Sequence, residues 1–195
     1  EQLEFSISLR DLPEKFLIPR VALTRPELVF ERLPDNRKNW ILAEPSETRP
    51  SKLRISTLSV DQGQLRYIDH GEPFELDVAA STFDPAKQEK VKDADSPPAN
   101  NRYSTRYEFK GKYHGAGFKG TALTGEVLSF QESGVPFPIQ GDLQAGTTRD
   151  RVEGTIADAA NISGIDTQLR IEGKTLANLY PFLLLPLPAS PPYSL

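Results

Sequence analysis

Apolar positions in this chain recur with a period of two. Leu3, Phe5, Ile7 and Leu9 alternate with Glu4, Ser6, Ser8 and Arg10. Phe137, Ile139, Gly141, Leu143 and Ala145 alternate with Pro138, Gln140, Asp142 and Gln144. Val152, Gly154 and Ile156 alternate with Arg151, Glu153 and Thr155, and Leu169, Ile171 and Gly173 with Gln168, Arg170 and Glu172. Strict alternation gives a strand one apolar and one polar face, as in an antiparallel sheet with one side in water. Weaker patterns predict further strands over 17–24, 27–33, 53–60, 64–69, 74–82, 103–113, 117–124 and 126–130. Their spacing suits a meander.

Turn chemistry falls between these runs. Asp61-Gln62-Gly63 predicts a tight hairpin, and Asp69-His70-Gly71 and Glu132-Ser133-Gly134 are similar. Residues 84–102 hold no large apolar group except Val91, so an exposed, disordered loop is expected. One segment has helical spacing: Thr175 as cap, then Leu176, Leu179 and Leu183 on one side. Pro181 lies inside that pattern and limits it to a short or kinked helix. Prolines crowd the last fifteen residues, which predicts no regular element there.

Composition narrows the picture. The 195 residues include 17 Pro, against roughly 10 at average usage, which argues against a mainly helical chain. A chain of this length, as one domain over 1–195, can bury a real core without disulfides or metals. With 0 Cys there is no disulfide scaffold, thiol nucleophile or cysteine-ligated metal. The net charge of −4 and the scattered basic residues give no electrostatic reason to bind nucleic acid. No apolar run reaches membrane-spanning length. The chain opens at Glu1 and has 0 Met, so a piece of a longer protein is expected.

Candidate chemistry is sparse. Gly115-Ala-Gly117-Phe-Lys-Gly120 matches G-x-G-x-x-G, but a dinucleotide loop needs a helix after it. The residues that follow are strand-like, so these glycines read as hairpin corners or sheet bends. His70 and His114 each adjoin a glycine and show no paired-ligand spacing. No serine sits in a G-x-S-x-G elbow. Glu72 with Glu75, and Asp93 with Asp95, read as solvated charges, and Asn161-Ile-Ser163 is a sequon of use only in a secreted eukaryotic protein. No catalytic residue, metal site or cofactor is expected. Aromatics recur along the central strands, either as ordinary sheet core or as a surface that holds something apolar.

Leu53 to Asp69 resembles the "dG-x-l-x-y-x-D" inner strand of the AsmA family. Pro26-Glu-Leu-Val-Phe-Glu-Arg32 with Asn39-Trp40 is similar to its "p-x-l-x-l-e-r…NW" segment. Pro136 to Ile139, the Gly146-Thr147-Thr148 turn, Val152 to Ile156, Gly164 to Asp166 and Leu169 to Gly173 follow in order. Thr175 to Tyr180, leading to Leu185-Pro-Leu-Pro188 and Pro191-Pro-Tyr193, resembles its "dLa-x-Ly…lplP-x-tPPY" signature. The resemblance covers nearly the whole chain from about Phe5. It implies a Gram-negative protein anchored in the inner membrane by a preceding helix, with a β-rich periplasmic body active in outer-membrane biogenesis.

Relatives in the wider superfamily imply a β-groove that carries phospholipid. The fold expected is therefore mainly β: a curled antiparallel sheet or open half-barrel groove with one or two short helices. Its acyl-chain lining would be Leu58, Val60, Leu65, Tyr67, Phe74, Leu76, Val78, Tyr107, Phe109, Phe118, Phe137, Ile139, Leu143, Val152, Ile156, Leu169 and Ile171. The partners implied are phospholipid or another acyl-chain lipid, the membrane, and envelope proteins. A non-enzymatic scaffold for outer-membrane protein assembly is the second reading. A sugar-binding or hydrolytic β-sandwich ranks third, since Trp40 is the only Trp.

Overall fold

A computed structural model describes residues 2–6, 16–18, 20–41, 53–55, 57–84, 102–128, 135–158 and 163–195. Its architecture is a large sheet not closed into a barrel, with one short helix. The early strands are β1 (Gln2–Ser6), β2 (Phe16–Ile18), β3 (Arg20–Thr24), β4 (Glu27–Arg32), β5 (Leu53–Ile55) and β6 (Leu58–Asp61). The sheet body follows as β7 (Gly63–Asp69), β8 (Phe74–Thr82), β9 (Thr105–Tyr113), β10 (Ala116–Thr124), β11 (Phe137–Ala145), β12 (Thr148–Asp158) and β13 (Ser163–Gly173). A 3-10 turn (Leu176–Leu179), helix α1 (Tyr180–Leu183) and β14 (Tyr193–Ser194) end it.

Nine strands form the main sheet in the order β14-β13-β12-β11-β10-β9-β8-β7-β4. From β7 to β13 each strand pairs antiparallel with the next, so the meander expectation holds there. Local chemistry sets the turns. His114 (φ 46°) and Gly115 (φ 82°) form a two-residue loop between the paired Tyr113 and Ala116. Positive φ at both loop residues is the type I′ geometry that matches strand twist. Gly146 (φ 58°) opens the β11–β12 turn, where glycine takes the left-handed conformation without strain.

Four sequence expectations fail. Asp61-Gln62-Gly63 is not a hairpin. Instead β6 runs on into β7 through a bend at Gln62 (φ 52°), with β6 parallel to β3 and β7 parallel to β4. The neighbouring strand bends at the same level, at Arg25 (φ 51°). Arg25 N–H donates to Asp61 O at 2.7 Å, and Gln64 N–H to Pro26 O at 2.8 Å. The two strands thus turn together, which a one-strand pattern cannot reveal. The strand expected at 126–130 is absent over its described part, where Val127 and Leu128 make a short 3-10 turn. Gly125 N–H donates to Pro138 O at 3.2 Å there, ending β10.

Thr175 does not cap a helix with its side chain. Its hydroxyl accepts the Ser190 N–H at 2.9 Å while Ser190 Oγ accepts the Leu176 N–H at 3.0 Å. Finally, the proline-rich end does make a strand: β14 pairs with Glu172 and Gly173 of β13. Pro181 sits in the first turn of α1, the one helical site that tolerates proline. The Glu132-Ser133-Gly134 turn and 85–101 of the expected loop lie outside the described residues.

Candidate functional site

Most apolar side chains of β4 and β7–β13 share one face, with Val29, Ile68 and Leu123 on the other. The rows of the shared face can be read from the pairing. Leu65, Val78, Phe109, Gly120, Leu143, Asp150 and Ile171 stand side by side across seven strands. Tyr67, Leu76, Gly111, Phe118 and Ala145 form the next row. Tyr107 and Val152 with Leu169 belong to a third, and Phe137 with Ile156 to the far margin. The expected residues Phe74 and Ile139 lie on the same face. Leu58 and Val60 lie beyond the bend, on β6, where Val60 packs against Gly63 at the edge of that face.

Among the described residues no second layer buries this face. Among the described residues the buried apolar side chains are Tyr103, Phe137 and Ala145, while Leu28 is 48%, Ile165 57% and Leu169 58% exposed. Aromatic rings run along one end of the face. Trp40 meets Phe30 at 5.4 Å and Tyr67 at 6.0 Å, Tyr67 meets Phe74 at 5.8 Å, and Phe74 stacks on Phe118 at 5.9 Å with planes 13° apart. Glycines make room for them. A side chain at Gly111 would collide with the Phe118 ring, and one at Gly120 with the Phe109 ring. Each ring thereby covers the glycine of the neighbouring strand.

Sequence reasoning did not name Phe30, Asn39, Arg32 or Asp69 for this end. Asn39 works like a piece of strand. Its Oδ1 accepts the Glu31 N–H at 3.0 Å and its Nδ2 donates to Val29 O at 2.9 Å. It thereby closes the outer edge of β4 and holds Trp40 over the face, the physical content of the Asn-Trp pattern. Asp69 accepts N–H bonds from Gly71 at 2.9 Å and Glu72 at 3.0 Å, and the Tyr67 hydroxyl at 3.2 Å. Arg32 Nε lies 2.9 Å from its Oδ2. The Glu72 N–H above all holds the Asp69 carboxyl below the usual carboxylate range. Burial raises the Tyr67 phenol, aided by its bond to Asp69. At the other end, Tyr193 lies over Gly173 and its hydroxyl is 3.4 Å from Thr148 Oγ1, which accounts for the pairing of a glycine with the terminal Pro-Pro-Tyr.

Titratable groups on or near the face are few. Asp150 is half-buried between Leu143 and Ile171, and desolvation raises its carboxyl. His70 is 2.7 Å from Glu31 and His114 is 3.5 Å from Glu72, both near the surface. Among the described residues no three His, Asp or Glu are placed to hold a metal ion. Gly115 lies in a hairpin turn and Gly117 and Gly120 in β10, so no helix follows the G-x-G-x-x-G match.

The opposite face is charged. A cavity of about 870 Å³ opens there, bordered by Gln64, Asp77, Lys110, Lys119, Asp142 and Arg151 among others. Of the expected groove residues only Val78, Phe109 and Leu143 border it, and alternation sends their side chains to the apolar side. The cavity and the apolar face are therefore separate features.

The chain is similar to the AsmA family protein YhjG of Escherichia coli (strain K12), 26% identical over 197 residues. That match takes in 90% of this chain and 27% of the relative, so the chain spans about a quarter of the length of the curated relative it matches. No family model matches the chain, and no solved structure matches it. Among the described residues no helix is long and apolar enough to cross a membrane.

Proposed function

The likeness to YhjG supports membership of this chain in the AsmA family, and on that premise we propose that it is a non-catalytic section of an envelope protein that holds lipid acyl chains on its apolar sheet face. At family level the role suggested is in envelope and lipid-related biogenesis. The observation that carries the finer reading is the continuous, half-exposed apolar face with its row of rings. Exposed apolar surface of this extent on a folded chain marks a place where something apolar binds.

Nine strands at about 4.8 Å spacing give a face on the order of 40 Å across. Each methylene laid on it is worth up to about 0.8 kcal/mol. Spread over repeated aliphatic rungs, that hold has no single deep trap, which is what a surface that passes lipid along needs. The proposed setting is the periplasm, with the longer protein anchored in the inner membrane.

Native mass spectrometry of gently purified protein, paired with titration of a fluorescent phospholipid, tests this. Co-purified lipid and saturable binding are expected. Binding should weaken when Val78 and Phe118 are both replaced by Asp in a protein that still folds by circular dichroism. Absence of both lipid and binding overturns the reading. One observation favours the scaffold alternative: among the described residues only the Ile171–Gly173 end of β13 is paired on that side, by Tyr193–Leu195, and an open strand edge is a surface that takes a strand from a partner.

A further inference from the structure

On the charged face, Lys110 of β9 and Lys119 of β10 stand directly opposite one another. Like charges in that position destabilise a sheet. Lys119 also faces Gln144 on β11, and Gln144 faces Arg149 on β12. All four border the cavity of about 870 Å³. Three cations and one amide thus form a row across four adjacent strands, spanning about 14 Å at about 4.8 Å per strand.

The surrounding acids are mostly engaged. Asp142 pairs with Arg151 at 2.8 Å, Glu172 with Arg170 at 3.5 Å and Asp77 with Arg66 at 3.7 Å. Asp150 belongs to the apolar row, which leaves Glu108 as the unpaired carboxylate on this side of the cavity. Lys110, Lys119 and Arg149 form no ion pair among the described residues. The row continues into Asp77 opposite Lys110 and Glu172 opposite Arg149, but each of these acids already pairs with another arginine, so the unbalanced charge along the row is positive.

We propose that Lys110, Lys119 and Arg149 bind a phosphate-bearing anion, with Gln144 as a neutral donor beside them. Each lysine brings a point charge with three donors, and the arginine a planar fork that fits two phosphate oxygens. A bound anion also removes the Lys110–Lys119 repulsion, so the empty row is the less stable state. Lipid headgroups and soluble phosphorylated molecules offer the same chemistry. The site lies on the face opposite the apolar one and stands whether or not that face holds acyl chains.

The test compares the unaltered chain, the double variant Lys110→Gln/Lys119→Gln, and Lys112→Gln. Lys112 shares the face but does not border the cavity. Each is titrated calorimetrically with inorganic phosphate and sedimented with phosphatidylglycerol or phosphatidylcholine vesicles. Saturable phosphate binding is expected, weakened at least about tenfold in the double variant and unchanged in Lys112→Gln. The double variant should also melt higher than the unaltered chain without phosphate and gain nothing from adding it. Selective sedimentation with phosphatidylglycerol assigns the phosphate to a headgroup, and phosphate binding without it assigns a soluble source. No saturable binding of either kind, or equal weakening in Lys112→Gln, overturns the proposal.

Discussion

Asp69 shows how one side chain fixes the aromatic end of the sheet. It collects two backbone N–H groups, a phenol and a guanidinium, so its folded-state value lies below its unfolded one. A lowered acid stabilises the fold fully above the unfolded value, about 3.9, and loses that contribution as pH falls through the lowered one. The thermal midpoint should therefore hold steady at mildly acidic pH and fall below it. Asp69→Asn should melt lower at neutral pH and fall less steeply with acid, as scanning circular dichroism across pH would record. Phe74 is the second fixed point, with ring neighbours Tyr67, Tyr113 at 6.2 Å and Phe118. Because its ring is only half-buried, Phe74→Ala should cost about 1–3 kcal/mol, toward the low side of buried aromatic truncations, measured by urea unfolding. Asp69 was visible in the sequence as the head of a turn and the last residue of the AsmA-like inner-strand pattern, with no structural role attached. Its role depends on Arg32, thirty-seven positions away, which no local pattern connects to it.

Strand by strand, glycine sorts into two kinds. At Gly120 a β-carbon would strike the Asp142 carbonyl and the Phe109 ring, whereas at Gly117 the nearest atom is 4.0 Å away. Gly120→Ala should thus cost about 1–3 kcal/mol, while Gly117→Ala should be neutral or slightly stabilising; parallel denaturation curves check both. The edge strand β4 offers a second contrast. Without the Asn39 side chain, Val29 O and Glu31 N–H face water as an open strand edge, an invitation to pair with another chain. Asn39→Ala should self-associate in sedimentation velocity and shift Trp40 emission to the red. Strand identity was largely legible beforehand, because one face in water forces the alternation that β9 and β11 display over nine residues each. The residues from Leu65 to Ile171 that the resemblance named lie on one face of the sheet, as the alternation requires. What stayed hidden was pairing. Asp61-Gln62-Gly63 has hairpin residues, yet β7 lies beside β4, because parallel partners are chosen by distant segments rather than by the turn between neighbours.

At the scale of the molecule, one nine-stranded sheet supplies most of the described structure, beside two smaller sheets. Mainly β architecture and a polar, water-facing side were both readable from the period of two, since a strand buried on both faces would have lost its polar alternates; whether the apolar side was covered was not. The parallel edge and the charged cavity were not, because curvature and side-by-side placement emerge only when strands assemble. Among the described residues the sheet lies as a single layer, with Tyr103, Phe137 and Ala145 as its buried apolar side chains. That thinness carries a consequence for how the molecule comes apart. With each strand held chiefly by the two beside it, stability resembles a row of nearest-neighbour couplings more than a single core. Loss of structure should begin at the borders and travel inward. Amide hydrogen exchange should show the slowest protection in β9–β11 and the fastest in β4 and the uncovered stretch of β13, with denaturant transitions broader than those of a two-layer domain of equal length. Uniform protection across all strands would rule this out. A sheet built this way can lend its outer strands to a neighbour and keep its centre closed.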